Sequence, residues 1–194
     1  MRCIHLVGGS IPPVSSMNER LEQSVIVERS EVPSRFEGKV IVVVAGGFDP
    51  IHSGHLKHIE QAKYLGDYLI AITHKDSILE AKKNTFLLPV YDRLLALYHN
   101  KYVDLVTIAV DSDGTVAATL DFIRGLFPVN KIIFAKGGDR TENNMPKNEI
   151  KACKESNIEI KYGVGDLLGS STNYLVDAAK RYYNNTGLHL DERN

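Results

Sequence analysis

The chain has 194 residues, 43% of them hydrophobic and 24% charged, with a formal net charge of −1. That length and balance suit one domain with a full core, and the near-neutral charge excludes broad electrostatic capture of nucleic acid or an anionic membrane. The two cysteines, Cys3 and Cys153, build no disulfide framework, and the apolar run Cys3–Val7 is too short for a signal core or a membrane span. A cytoplasmic protein with small-molecule partners is the expectation.

Residues 1–37 precede the first core strand and hold two short β-rich runs, Ile4–Val7 and Ser24–Glu28, broken by Pro12-Pro13. They suit an arm, an added edge strand or a dimer contact, and a homodimer is expected. The β-branched run Lys39–Ala45 then predicts a buried strand. Gly46-Gly47-Phe48-Asp49-Pro50-Ile51-His52-Ser53-Gly54-His55-Leu56 comes next, and Leu56, Ile59, Ala62 and Leu65 recur at helical spacing. Strand, glycine loop and helix form an anion site, because glycines admit close backbone approach and the first N–H groups of a helix are free. The Walker lysine and the G-x-G-x-x-G spacing are both absent, which leaves the histidines to meet the anion. His52, His55 and His58 also share a helical face, so zinc ligation is the competing reading.

Further along, Gly66-Asp67 ends that helix, Tyr68–Thr73 reads as a second strand, and His74-Lys75-Asp76 stands at its carboxyl end, where open α/β sheets place ligands. Lys82 and Lys83 fall in what reads as a polar loop. Pro89 opens a helix with a stripe of Tyr91, Leu94, Leu95 and Tyr98, and Arg93 lies off that stripe. Leu105–Val110 is a third strand, and Asp111-Ser112-Asp113-Gly114 suits a helix cap better than a metal site. Val116, Leu120, Ile123 and Phe127 mark the buried face of the helix it starts. Lys131–Ala135 is a fourth strand and runs into Lys136-Gly137-Gly138-Asp139-Arg140. Thr141–Met145 reads as loop, Pro146–Ser156 as a helix with Ile150 and Cys153 inward, and Ile158–Tyr162 as a fifth strand. Gly169-Ser170-Ser171-Thr172-Asn173 then opens a helix expected to turn Leu175, Ala178, Ala179 and Tyr182 to the core. Residues 184–194 read as a tail.

Alternation of this kind predicts an α/β fold: a five-stranded parallel sheet with helices on both faces. The stretch Gly46–Leu56, with His52-Ser53-Gly54-His55 as an H-x-G-H motif, resembles the nucleotidyltransferase superfamily typified by glycerol-3-phosphate cytidylyltransferase and the adenylyltransferase domain of ADP-heptose synthase. The resemblance covers roughly residues 39–182, so it implies a Rossmann-like nucleotidyltransferase domain over 38–183, flanked by the N-terminal extension and the tail. It implies transfer of a nucleoside monophosphate from an NTP to a phosphorylated small molecule, with Mg²⁺ offsetting the triphosphate charge. His52 and His55, with Lys82 and Lys83, are its candidate catalytic residues. Gly46, Gly47, Phe48, Asp49, Lys136, Gly138, Asp139, Ser171 and Thr172 are its candidate nucleotide contacts, and His74, Asp76 and Arg93 its candidate acceptor contacts. Lys136-Gly137-Gly138-Asp139 resembles the ADP-heptose synthase type and favours ATP over CTP and a sugar phosphate over a polyol phosphate. The family places a basic residue soon after the Ser/Thr pair, whereas here Asn173-Tyr174-Leu175-Val176-Asp177 intervenes before Lys180 and Arg181. That difference keeps a non-catalytic nucleotide-binding module as the alternative.

Overall fold

The computed structural model describes residues 36–138, 140–165 and 169–186; the runs expected to be strands at Ile4–Val7 and Ser24–Glu28, together with Asp139 and residues 187–194, lie outside them. In chain order the elements are β1 (Ile41–Gly46), α1 (Ser53–Lys63), β2 (Tyr68–Thr73), α2 (Asp76–Lys83), α3 (Val90–Tyr98), β3 (Leu105–Ile108), α4 (Ala117–Leu126), β4 (Ile132–Ala135), a 3₁₀ turn (Glu142–Asn144), α5 (Lys147–Glu155), β5 (Glu159–Lys161) and α6 (Ser171–Thr186). The sheet is parallel throughout, in the order β3-β2-β1-β4-β5.

The central strand shows why the run reads as continuously apolar. Ile41 and Val43 enter one core with Val116, Leu120, Ile123 and Phe127 of the α4 segment and Cys153 of α5. Val42 and Val44 enter the other, with Ile59 and Ala62 of α1 and Leu94 and Leu97 of α3. Successive side chains of a strand point to opposite faces, so a strand covered on both sides needs apolar residues at every position. Phe36, assigned from sequence to the extension, is 1% exposed and packs edge-on against Tyr68 and Phe127. The chain order reverses between β1 and β4, and the crevice beyond their carboxyl ends is where this class of sheet holds ligands.

Four expectations change. Lys82 and Lys83 close the last turn of a helix, α2, which ends at Asn84 in the left-handed region. Its polar composition left only Leu79 to bury, too little periodicity to stand out from a loop. Arg93 is fully buried, at 0% exposure, because its guanidinium satisfies backbone that would otherwise be orphaned. Helix α6 runs on through Thr186, past the start of the expected tail. Its apolar residues are not a core face: Ala178 and Ala179 are exposed, Leu175 is half-buried and Tyr182 is 59% exposed. Apolar spacing on a helix does not by itself supply a surface to cover it.

Asp111 behaves as a cap. Its carboxylate accepts from the amides of Ala118 (2.7 Å) and Thr119 (3.1 Å) and from the Thr119 hydroxyl (2.5 Å), which serves the free N–H groups at the head of α4.

Arg93 donates to the carbonyls of Leu88 (2.9 Å) and Gly47 (2.9 Å), to Thr73 Oγ1 (2.7 Å) and to the Asp76 carboxylate (2.5 Å). Arg93→Met keeps length and apolar volume but strands those acceptors, so urea unfolding is expected to show a loss of about 3 to 5 kcal/mol. A loss below about 1 kcal/mol would mean the loop finds other partners.

Candidate functional site

A cavity of about 440 Å³ opens beyond the ends of β1 and β4, within the range of small-ligand pockets. Gly46, Gly47, Phe48, His52 and His55 line it from the β1–α1 connection, and His74, Lys82 and Lys83 from the end of β2 and α2. Lys136 and Gly138 come after β4, and Ser171 and Thr172 open α6. Most of the candidate residues therefore meet in one place although they are spread from position 46 to position 172.

The glycine loop is shaped from below. Phe48 sits at φ 51°, the left-handed region that non-glycine residues rarely adopt, with its ring buried at 2% exposure. Asp49 is 1% exposed and both of its oxygens are engaged, with Leu88 N at 2.7 Å and Leu87 N at 2.9 Å. Asp49 therefore holds the loop to the lead-in of α3 and, like Asp76 and Arg93, does not line the cavity. The signal was ambiguous in sequence, because a carboxylate in a glycine loop can equally face a ligand or cap backbone amides.

His52 is the N-cap of α1, its Nδ1 accepting from Gly54 N at 3.1 Å. An accepting Nδ1 places the proton of the neutral ring on Nε2. The His52 and His55 rings stack at 3.8 Å between centroids and 28° between planes, face to face rather than converging on one ion. His58 Nδ1 lies 2.6 Å from the carbonyl of Val164, which also turns it away from joint ligation with them. A side chain at Gly54 would lie 3.0 Å from the His52 ring and 3.6 Å from Gly169 N. The heads of α1 and α6 are thus neighbours, and Ser171 Oγ donates to Pro50 O at 3.1 Å to join them. Gly165, at φ 93°, brings the segment after β5 against His58, where a Cβ would come within 2.8 Å of the His58 backbone.

Burial and neighbouring cations keep the imidazoles neutral. His55 is pushed down to about 3, chiefly by burial and then by His52, His58 and Lys83; the Pro50 carbonyl opposes this, without a hydrogen bond of good geometry to the buried Nδ1. His52 is lowered by burial and by Lys83. His74, 8% exposed, is lowered to about 4 by burial and by Lys82, and its Nδ1 has no partner. The two adjacent lysines therefore act on different ends of the cavity, Lys83 on the stacked histidines and Lys82 on His74. Lys82 donates to the carbonyl of Gly114, and its own pKa is lowered by burial.

Sequence reasoning missed several lining residues: His58, Gly114, Val116, Arg140, Glu149 and Gly165. Of these His58 carried a signal in its spacing from His55, and Arg140 in its place at the end of the Lys136–Arg140 loop. In the segment after Thr172 that departs from the family pattern, Tyr174 packs on Gly169, with its ring 5.4 Å from His52. Lys180 and Arg181 are exposed further along α6. Among the described residues the donor set does not suit a resident Mg²⁺, which prefers several carboxylates and water: Asp49 is turned to backbone amides away from the cavity, and the one carboxylate that lines it, Glu149, is paired with Lys136.

A family profile described as cytidylyltransferase-like matches residues 43–181, from the middle of β1 into α6. The chain belongs to this cytidylyltransferase-like family. Similar proteins include the ethanolamine-phosphate cytidylyltransferase of Dictyostelium discoideum, 38% identical over 43% of this chain and 24% of that protein. The FAD synthase of Pyrococcus horikoshii is 38% identical over 46% of this chain and 59% of that one. The bifunctional protein HldE of Pelobacter propionicus is 27% identical over 87% of this chain and 32% of that one. The chain thus spans less than two thirds of these relatives. Among solved structures, the lipopolysaccharide core biosynthesis protein of Thermoplasma volcanium shares the fold of this cytidylyltransferase-like chain at a TM-score of 0.51 and 22% identity, over 64% of this chain and 94% of that one. No helix among the described residues is long and apolar enough to cross a membrane.

Buried neutral histidines make a testable acid sensitivity. An imidazole whose folded pKa lies below 6.5 takes up its proton on unfolding, so stability is complete above that value. It is lost as the pH falls toward about 4 for His74 and about 3 for His55. Urea midpoints measured near pH 7.5 and near pH 5 are expected to differ less in His55→Gln than in the wild type. An equal difference in both proteins would show that His55 already protonates within the fold.

Proposed function

We propose that the protein is a nucleotidyltransferase that moves a nucleoside monophosphate from an NTP to the phosphate of a small acceptor and releases pyrophosphate. ATP is the favoured donor over CTP and a sugar phosphate the favoured acceptor. The observation that carries this reading is the convergence of two helix heads on one cavity, with His52 and His55 stacked at the first and Ser171 and Thr172 at the second. Free backbone N–H groups, the Thr172 hydroxyl and imidazole N–H groups are all donors, and together they describe a polyphosphate receptor, with Ser171 giving its own O–H to Pro50 O to hold the second head in place. The ATP and sugar-phosphate preferences rest on the Lys136-Gly137-Gly138 loop and on the length of the HldE match, 87% of this chain against 43% and 46% for the other two relatives.

The chemistry asks for positioning and charge stabilisation rather than a covalent intermediate. An oxygen of the acceptor phosphate attacks the α-phosphorus, a new P–O bond forms, the bond to the β-phosphate oxygen breaks, and pyrophosphate leaves with that electron pair. Charge gathers on the non-bridging oxygens. His52 offers Nε2–H to them as a neutral donor, and the backbone of the Gly46-Gly47 turn lets the phosphates approach. Lys83 supplies a positive charge that the stacked histidines feel, Lys82 and His74 serve the acceptor end, and Lys136, expected on the nucleotide, is turned toward that end by its pair with Glu149. Mg²⁺ arriving with the nucleotide would reduce the charge of the triphosphate, with no side chain of the cavity assigned to hold it.

His52→Ala and His55→Ala are each expected to lower kcat by about 10² to 10³, the cost of losing one donor to a developing anion. Pyrophosphate release with sugar phosphates is the measurement, and unchanged turnover would remove the histidines from the reaction. In a thermal-shift panel of ATP, CTP, GTP and UTP with Mg²⁺, ATP is expected to stabilise most, a ligand at 100 times its Kd adding about 2.7 kcal/mol. Stabilisation by CTP alone would reverse the donor assignment, and NTP binding without pyrophosphate release from any acceptor would make the protein a binding module.

A further inference from the structure

Glu149 is a buried carboxylate in the cavity for which the reaction above has no use. It sits in the first turn of α5 at 4% exposure and lines the cavity among Lys82, Lys136 and His74. Its Oε1 accepts from Val116 N at 3.2 Å and its Oε2 from Lys136 Nζ at 3.1 Å. An ionised carboxylate has about four lone-pair sites, so both oxygens keep capacity to accept. Lys136 has further N–H groups to give, Lys82 lies within reach of Glu149's charge with its ammonium donating to the carbonyl of Gly114, and His74 shares the cavity with its Nδ1 buried and without a partner. Burying a carboxylate at a ligand surface is costly unless its hydrogen bonds are completed. An acceptor site walled by ammonium donors is completed by hydroxyl groups, which both give and take a hydrogen bond.

We propose that Glu149, held by Lys136, reads the hydroxyl groups of the acceptor, which makes the acceptor a polyhydroxylated phosphate and excludes amino-alcohol phosphates and flavin phosphates. The proposal rests on the transferase reading. Among the described lining residues a cationic amine entering here would face Lys82, Lys136 and Arg140 against one carboxylate, Glu149, already paired with Lys136. A flat tricyclic ring would find no exposed Phe, Tyr or Trp face among the described lining residues, where Phe48 is 2% exposed.

The test is pyrophosphate release by the full chain, with its preferred NTP, from hexose and heptose 1-phosphates, glycerol 3-phosphate, ethanolamine phosphate and FMN. A polyhydroxylated phosphate is expected to exceed ethanolamine phosphate and FMN by about 10² or more in kcat/KM. Glu149→Gln, which can still accept from Val116 N, is expected to raise the KM for that acceptor about 10- to 100-fold. It should leave the KM for the NTP unchanged and weaken the preference for the acceptor over its analogue lacking one hydroxyl. A purely structural Glu149 would instead shift both KM values together or neither, and that result overturns the proposal. Preference for ethanolamine phosphate or FMN also overturns it while leaving the transferase intact. No pyrophosphate release from any acceptor removes the transferase reading and this inference with it.

Discussion

A guanidinium that solvent does not reach holds the cavity's floor. Arg93 ties together the glycine loop at Gly47, the end of β2 at Thr73, the start of α2 at Asp76 and the lead-in to α3 at Leu88. No neutral side chain offers so many donors in one rigid plane. Asp49 makes the reciprocal contact, accepting from Leu87 and Leu88, so the loop is pinned by a cation on one side and an anion on the other. Buried ion pairs contribute little net stability against well-packed apolar residues. Their use here is conformational: they hold Phe48 in a left-handed backbone and keep the turn open at its ligand-facing side.

The cavity's electrostatics arise from the same economy of exposed charge. With a net charge of −1, the chain has no general attraction for anions, so any affinity for phosphate must be local. Two carboxylates near the site, Asp49 and Glu149, are bound to backbone amides or to Lys136, which leaves lysines, imidazoles and helix-head amides to set the potential. The helical twist of α2 divides the adjacent lysines, sending Lys83 to the stacked histidines and Lys82 to His74. Consecutive residues on a helix are about 100° apart, so a pair that looks redundant in sequence can serve two ends of one pocket.

Helix α6 joins the body chiefly at its first turn. Ser171 is buried and bonds to Pro50 O, while the later turns of the helix are mostly exposed among the described residues. Tyr174 fills the space beside Gly169 and His52. The positive charge that lowers the pKa of both His52 and His55 is Lys83 of α2.

By itself the sequence determined the sheet, its parallel pairing and the placing of the glycine loop. Val40–Val44 could only be a strand buried on both faces, Val116, Leu120, Ile123 and Phe127 recur at the helical period, and Asp111 stands where a cap is needed. These are local signals, written in the spacing of apolar residues and in the preferences of turn and cap residues. Tertiary structure alone decided what the polar side chains do. Arg93 reads as an acceptor contact until four separated acceptors converge on it, Asp49 reads as a ligand contact until Leu87 and Leu88 turn their amides toward it, and Glu149 carries no motif at all. Polar groups take their roles from partners distant in the chain, and hydrogen-bond partners, unlike apolar periodicity, leave no repeating trace in the sequence.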